Sequence, residues 1–186
     1  MTEKEKRDAG LLYDPNGLTE ELLQCKEQCY DFNALRPSQL EEKAEIIRNL
    51  FGKTGESFLI QAPFWCDYGS NIEIGEAFYA NHNCVILDCA KVTFGDHVFV
   101  GPDCGFYTAL HPMDAEQRNQ GLEYARPITV GDNVWFGGGV RVLPGVTIGA
   151  GTVIGAGSVV TKDLPDHVLA AGNPCRVIRK ITGNEP

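Results

Sequence analysis

Apolar residues recur every six positions through the second half of the chain, at Val130, Phe136, Val142, Ile148, Ile154 and Val160. Four places after each stand Val134, Val140, Val146, Thr152, Ser158 and Leu164, mostly small or β-branched. The place next to the anchor is often glycine, as at Gly131, Gly137, Gly149 and Gly155. Three such hexapeptides close one triangular coil, so the period predicts a left-handed parallel β-helix in which each coil packs on its neighbours. The beat extends towards the N-terminus through Ile60 and Cys66, then Ile74, Ala80 and Ile86, then Phe94, Val100 and Phe106. Slips of two residues before Ile74 and Phe94 read as bulged corners. Gly75, Gly95 and Gly101 repeat the neighbouring glycine, expected to supply a backbone geometry that a Cβ resists. Cys84 and Cys104 fall four after their anchors, where a small buried side chain is wanted. About five coils are expected.

The period changes in residues 1–53. Ser38-Gln39-Leu40-Glu41 reads as a capping box, and Leu40, Ala44, Ile47, Leu50 and Phe51 keep helical spacing as far as Gly52. Leu22, Cys25 and Cys29 suggest an earlier amphipathic helix. These helices are expected to cap the open first coil, and the Leu12–Gly17 turn to roof a site. The solenoid then occupies residues 54–165, with one inserted loop at 109–129, and a tail follows at 166–186. A polar insertion in an otherwise strict repeat is where function is expected.

Composition narrows the classes. A formal charge of −9 argues against nonspecific nucleic-acid binding, which wants a basic face. No apolar run approaches a membrane span, and Met1–Lys6 is charged rather than apolar. The seven cysteines contain no C-x-x-C pair; an odd, scattered set reads as reduced thiols in a cytoplasmic protein, with no metal.

His111 is the sharpest candidate for chemistry. It sits where the solenoid gives way to the loop, with Pro112 restraining the backbone after it, and a neutral imidazole suits removal of a proton from an alcohol. His97 and His167 read as solvated corner or turn residues, and His82 as either a corner residue or part of a site. Asn81 and Asp88 replace expected glycines; they serve local turns or, with Asp67, offer amide and carboxylate groups to sugar-like hydroxyls. Gly137-Gly138-Gly139 is either a tight corner or a source of backbone donors for an oxyanion. Thr161-Lys162 with Arg176, Arg179 and Lys180 is the basic cluster of an acidic chain, suited to phosphates or simply solvated.

Together these segments resemble the hexapeptide-repeat sugar O-acetyltransferases of the maltose and galactoside group. The resemblance rests on Tyr68-Gly69-Ser70-Asn71-Ile72, Phe78-Tyr79-Ala80-Asn81, Gly131-Asp132-Asn133-Val134-Trp135, Pro144-Gly145-Val146-Thr147-Ile148-Gly149, Val160-Thr161-Lys162-Asp163 and Ala171-Gly172-Asn173-Pro174. It implies a homotrimer with sites between subunits, acetyl-CoA as co-substrate, and a sugar acceptor. It implies His111 as base and Asn81 on the reacting hydroxyl, with Asp14, Asp67 and Asp88 on the sugar side. Gly138, Ala156, Thr161, Lys162, Arg176 and Arg179 match acetyl-CoA contact positions. Cys66-Asp67-Tyr68-Gly69, Leu87-Asp88 and Glu123-Tyr124-Ala125-Arg126-Pro127 look more like the maltose enzymes. The alternatives are a non-sugar hydroxyl acceptor such as an antibiotic, or a noncatalytic trimeric scaffold. A zinc carbonic anhydrase on the same solenoid would need a His-x4-His pair, and the sequence has none.

Overall fold

The computed structural model describes residues 1–183 and forms a three-sided prism of stacked coils. The first face carries Phe58–Ile60, Phe78–Ala80, Phe99–Val100, Trp135–Phe136, Val153–Ile154 and Val168–Gly172, all paired in parallel. The second holds Phe64–Cys66, Cys84–Leu87, Gly105–Tyr107, Arg141–Val142 and Val159–Val160. The third holds Ile72–Ile74, Val92–Phe94, Ile128–Val130 and Thr147–Ile148. The first face thus has six layers rather than five, because partial coils close both ends. The regular stack also runs past residue 165: Val168–Gly172 is its last parallel strand, and Cys175–Lys180 folds back against it.

Every anchor named above points inward and is buried. Four phenylalanines form a continuous ladder through successive coils, with ring centroids 5.1 Å apart for Phe78–Phe94, 4.9 Å for Phe94–Phe106 and 5.1 Å for Phe106–Phe136. Burying each such ring contributes roughly 1.5–3 kcal/mol. The glycine beside the anchor has a different cause from the one expected. A Cβ on Gly101 would stand 2.7 Å from the Gly138 nitrogen, so the next coil, not a left-handed φ, excludes a side chain. The left-handed residues come two places later, at Ala77, His97, Asp103 and Asn133.

The cap is helical: α1 (Glu3–Asp8), α2 (Thr19–Ala34) and α3 (Leu40–Leu50). Cys25, Cys29 and Phe32 of α2 and Ile47 and Leu50 of α3 join the solenoid core, and Phe32 and Phe51 pack edge-on against Phe64 at the open end. The capping box expected at Ser38–Glu41 does not form. Gln39 is the N-cap of α3 without a side-chain cap bond, because its amide oxygen accepts from the Arg36 N–H instead. A capping box does form at Thr2 and Glu5.

The outward positions differ from face to face. The third face presents Glu73, Thr93, Thr129 and Thr147 in register. The first presents Leu59, Tyr79, Phe99, Trp135, Val153 and Leu169, with Phe99 and Trp135 51% and 56% exposed. The second presents Trp65, Val85, Gly105, Arg141 and Val159. The first face is apolar, the second is apolar apart from Arg141, and the third is polar.

Candidate active site

Irregularity is concentrated on one ridge of the prism, where the second face turns into the third. The two slips in the repeat, Asp67–Asn71 and Asp88–Lys91, stack there, and the long insertion leaves the coil directly beneath them. Buried Thr108 pins the insertion: its hydroxyl donates to the Leu87 carbonyl at 2.6 Å and accepts from the Ala90 N–H at 2.9 Å. The insertion is a hairpin, Ala109–Leu110 against Tyr124–Ala125, with a short helix α4 (Ala115–Asn119) at its tip. Tyr13 adds a further strand position through reciprocal amide–carbonyl bonds with Glu123 of 2.9 and 3.0 Å. The N-terminal turn therefore lies beside the hairpin, not over a distant coil.

His111 projects from this hairpin, half-exposed. Its Nδ1 lies 3.0 Å from the Leu122 carbonyl oxygen, and its Nε2 lies 3.8 Å from Glu123 Oε1. The other Glu123 oxygen accepts from the Tyr13 hydroxyl at 2.8 Å. Tyr13 is buried, which pushes its phenol far above the ordinary range and keeps it a donor. A fixed donor thus aims a carboxylate at the imidazole.

The carboxylates expected on the sugar side divide into three environments. Asp67 is half-buried; its Oδ1 accepts from Lys26 at 2.9 Å and its Oδ2 from the Cys89 thiol at 3.7 Å. Burial pushes the Cys89 thiol up to about 12, so it stays protonated as a donor. Asp14 caps the turn Pro15–Leu18, accepting from the Asn16 N–H at 3.0 Å, and its own N–H donates to Glu3 at 2.6 Å. Asp88 departs from the expectation. It is wholly buried, and its Oδ1 accepts from the amides of Asp67 and Tyr68 at 2.9 Å each, so it shapes the backbone that carries Asp67 rather than facing an acceptor. Burial raises its carboxyl to about 6, against the lowering effect of those two amides.

Asn81 stands on a different ridge, where the first face turns into the second, in the column of Gly101 and Gly137; Gly138 and Ala156 lie one residue further along on that ridge. The strand Cys84–Leu87, which separates that ridge from Asp88, spans roughly 13 Å. One chain therefore does not bring its own Asn81 to its own His111. Among the triple glycines, Gly137 and Gly139 donate to Ile154 and Pro102 carbonyls, so the oxyanion reading narrows to the Gly138 amide. Thr161 and Lys162 lie lower on the ridge that carries His111, and Lys162 shares a cleft with Arg176 from the returning strand. Arg179 lies further along that strand, opposite Leu169.

Comparison with known proteins follows the same division of the chain. Residues 6–55 match the maltose acetyltransferase hexapeptide capping motif, and residues 127–162 match the bacterial transferase hexapeptide family of six repeats. A Saccharomyces cerevisiae protein named as an acetyltransferase is 56% identical over 93% of this chain and 90% of its own length. The crystal structure of a maltose O-acetyltransferase from Clostridium difficile 630 superposes with a TM-score of 0.96 at 49% identity, covering 98% of each chain. The chain belongs to the hexapeptide-repeat acetyltransferases. A galactoside acetyltransferase in complex with coenzyme A is a further member, with a TM-score of 0.94 at 46% identity over 98% of this chain and 92% of that one. This hexapeptide acetyltransferase has the left-handed β-helix of its family, and the family's chemistry is acyl transfer.

Four residues at the site escaped the sequence reading as contacts: Tyr13, Lys26, Cys89 and Glu123. Glu123 carried a usable signal, since it opens the segment through Pro127 that looked like the maltose enzymes. Lys26 carried none, because its pairing with Asp67 depends on how α2 docks across 41 residues of sequence.

Proposed function

We propose that this chain is an acetyl-CoA-dependent O-acetyltransferase that acetylates a hydroxyl of a small sugar, with His111 as general base and with sites shared between the chains of a homotrimer. The observation that carries the proposal is the setting of His111. A carbonyl oxygen can only accept, so the contact with Leu122 assigns the ring proton to Nδ1 and leaves the lone pair on Nε2. That nitrogen can take the proton of an acceptor hydroxyl, and the carboxylate of Glu123 steadies the imidazolium that results. The acceptor oxygen then attacks the thioester carbonyl, the oxyanion is held by a backbone amide such as that of Gly138, and the C–S bond breaks as the imidazolium returns its proton to the departing coenzyme thiolate. No nucleophile paired with a base is needed, so transfer is direct.

The acceptor class follows from the surroundings. Asp67 and Asp14, one carboxylate to a turn, together with half-buried Asn81, suit the scattered donors and acceptors of a polyol better than an apolar ring system. Lys162 and Arg176 share a cleft suited to phosphate, in line with coenzyme A in the galactoside enzyme. The trimer reading rests on the two largely apolar faces and on the separation of Asn81 from His111. A cyclic trimer uses two different patches of each subunit, and the polar third face would be left to solvent. Cytoplasmic location is in keeping with seven free, buried cysteines; no helix among the described residues is long and apolar enough to cross a membrane.

The test is His111→Ala assayed with acetyl-CoA and a panel of sugars by release of free thiol. Turnover should fall by about 10²–10⁴-fold, with assembly and acetyl-CoA affinity kept. A folded variant with near-normal turnover would remove His111 from the chemistry.

A further inference from the structure

Three cysteines far apart in sequence meet where the cap docks on the solenoid. Cys25 and Cys29 stand one turn apart on α2, and Cys66 ends the second-face strand Phe64–Cys66 beneath them. The Sγ atoms of Cys25 and Cys66 are 3.5 Å apart, those of Cys29 and Cys66 are 3.7 Å apart, and all three lie within 4.8 Å of one another. None is more than 3% exposed. The remaining cysteines are single thiols elsewhere in the prism, and no reaction step uses these three.

From this geometry we infer a three-thiolate site for one thiophilic divalent d10 cation. Sulfur ligands about 2.3 Å from a common ion in a trigonal plane stand about 4.0 Å from one another, which is 2.3 multiplied by √3. The Cys25–Cys66 and Cys29–Cys66 separations need to widen by only a few tenths of an ångström to reach that shape. A disulfide would need two sulfurs to close to about 2.05 Å and would leave the third unused. Thiolates select soft ions, and His, Asp or Glu adds no fourth ligand atom to this group among the described residues, so harder oxygen-seeking cations are disfavoured. On binding, each S–H bond is replaced by a sulfur–metal bond and three protons leave to solvent; nothing is oxidised. Three thiolates and a dication carry one net negative charge. The Lys26 ammonium, 2.7 Å from the Cys66 carbonyl oxygen, lies beside it.

The site would act as a staple. Lys26 follows Cys25, and Asp67 follows Cys66, so an ion joining the sulfurs would also fix the Lys26–Asp67 pair that faces the active-site ridge. The spacing rules for metal motifs miss it because the third ligand comes from a strand, not from a neighbouring position.

Cadmium ion is the probe. Protein refolded by dilution from denaturant into a slight excess of Cd²⁺, then desalted, should retain about one ion per chain with an ultraviolet sulfur-to-metal charge-transfer band and a raised melting temperature. Cys29→Ala and Cys66→Ala should each lower retention at least tenfold, whereas Cys84→Ala, which removes a buried thiol outside the cluster, should retain the ion. If Cys66→Ala fails to fold, the wild-type band decides, since its intensity should correspond to three cadmium–sulfur bonds per ion. Absence of the band, equal retention by Cys29→Ala, or formation of a Cys25–Cys66 or Cys29–Cys66 disulfide in place of metal binding would overturn the assignment.

Discussion

Asp88→Asn isolates one buried charge whose effect can be worked from the structure. The carboxyl is completely enclosed, one oxygen accepts from two backbone amides, and the other has no partner among the described residues. Burial is the largest influence, and it holds the group at about 6 in place of 3.8. The folded chain thus keeps this proton more tightly than the unfolded chain. Its contribution to stability is complete below about 3.8 and is lost as pH rises through about 6. Each pKa unit corresponds to 1.36 kcal/mol, so the loss is on the order of 3 kcal/mol. Asparagine keeps the oxygen that Asp67 and Tyr68 require and never ionises. Against this, its NH₂ takes the place of the oxygen that has no partner among the described residues, and an NH₂ left unpaired there costs about 1–3 kcal/mol at every pH. Urea unfolding at one protein concentration, repeated from pH 4 to pH 8, measures the difference between variant and wild type. That difference should move in favour of the variant by on the order of 3 kcal/mol as pH rises, whatever its starting value. A variant that loses ground between pH 4 and pH 7 would show that the ionised carboxylate is stabilising, and the reasoning would fail.

Glu123→Gln should lower turnover roughly fivefold with little change in either substrate requirement. A charge 3.8 Å from a half-exposed imidazole is screened to about 1 kcal/mol, and steady-state kinetics checks the split. Tyr13→Phe should shift turnover in the same direction by less, because it only frees the carboxylate to turn. Arg176→Ala should raise the KM for acetyl-CoA about tenfold at low salt and leave the acceptor KM nearly unchanged; equal effects on both would return the residue to a solvated surface.

The solenoid was readable because one anchor in six must point inward in every coil, and that constraint repeats along the chain. Its irregularities were readable too: the slips before Ile74 and Phe94 and the 109–129 insertion fall on one ridge, the ridge that carries His111. What the sequence could not disclose depends on contacts between distant segments. The orientation of Glu123 comes from Tyr13, 110 residues away. Asp88 read as either a local turn residue or a group facing sugar hydroxyls, and the local role comes from the wide corner above it, which turns two amides onto its carboxylate. Ser38 looked like a cap because the motif was present, but Gln39 and Arg36 settled the helix start between themselves.

Mixed trimers test the central claim most directly. Asn81→Ala and His111→Ala should each be nearly inactive alone. If a site takes His111 from one chain and Asn81 from the next, every trimer containing both variants has one intact site of three. Random assembly from equal amounts gives about three mixed trimers in four, so co-refolded protein should recover about a quarter of wild-type activity. Activity no greater than the sum of the two parents would contradict a shared site and place all of the chemistry within one chain.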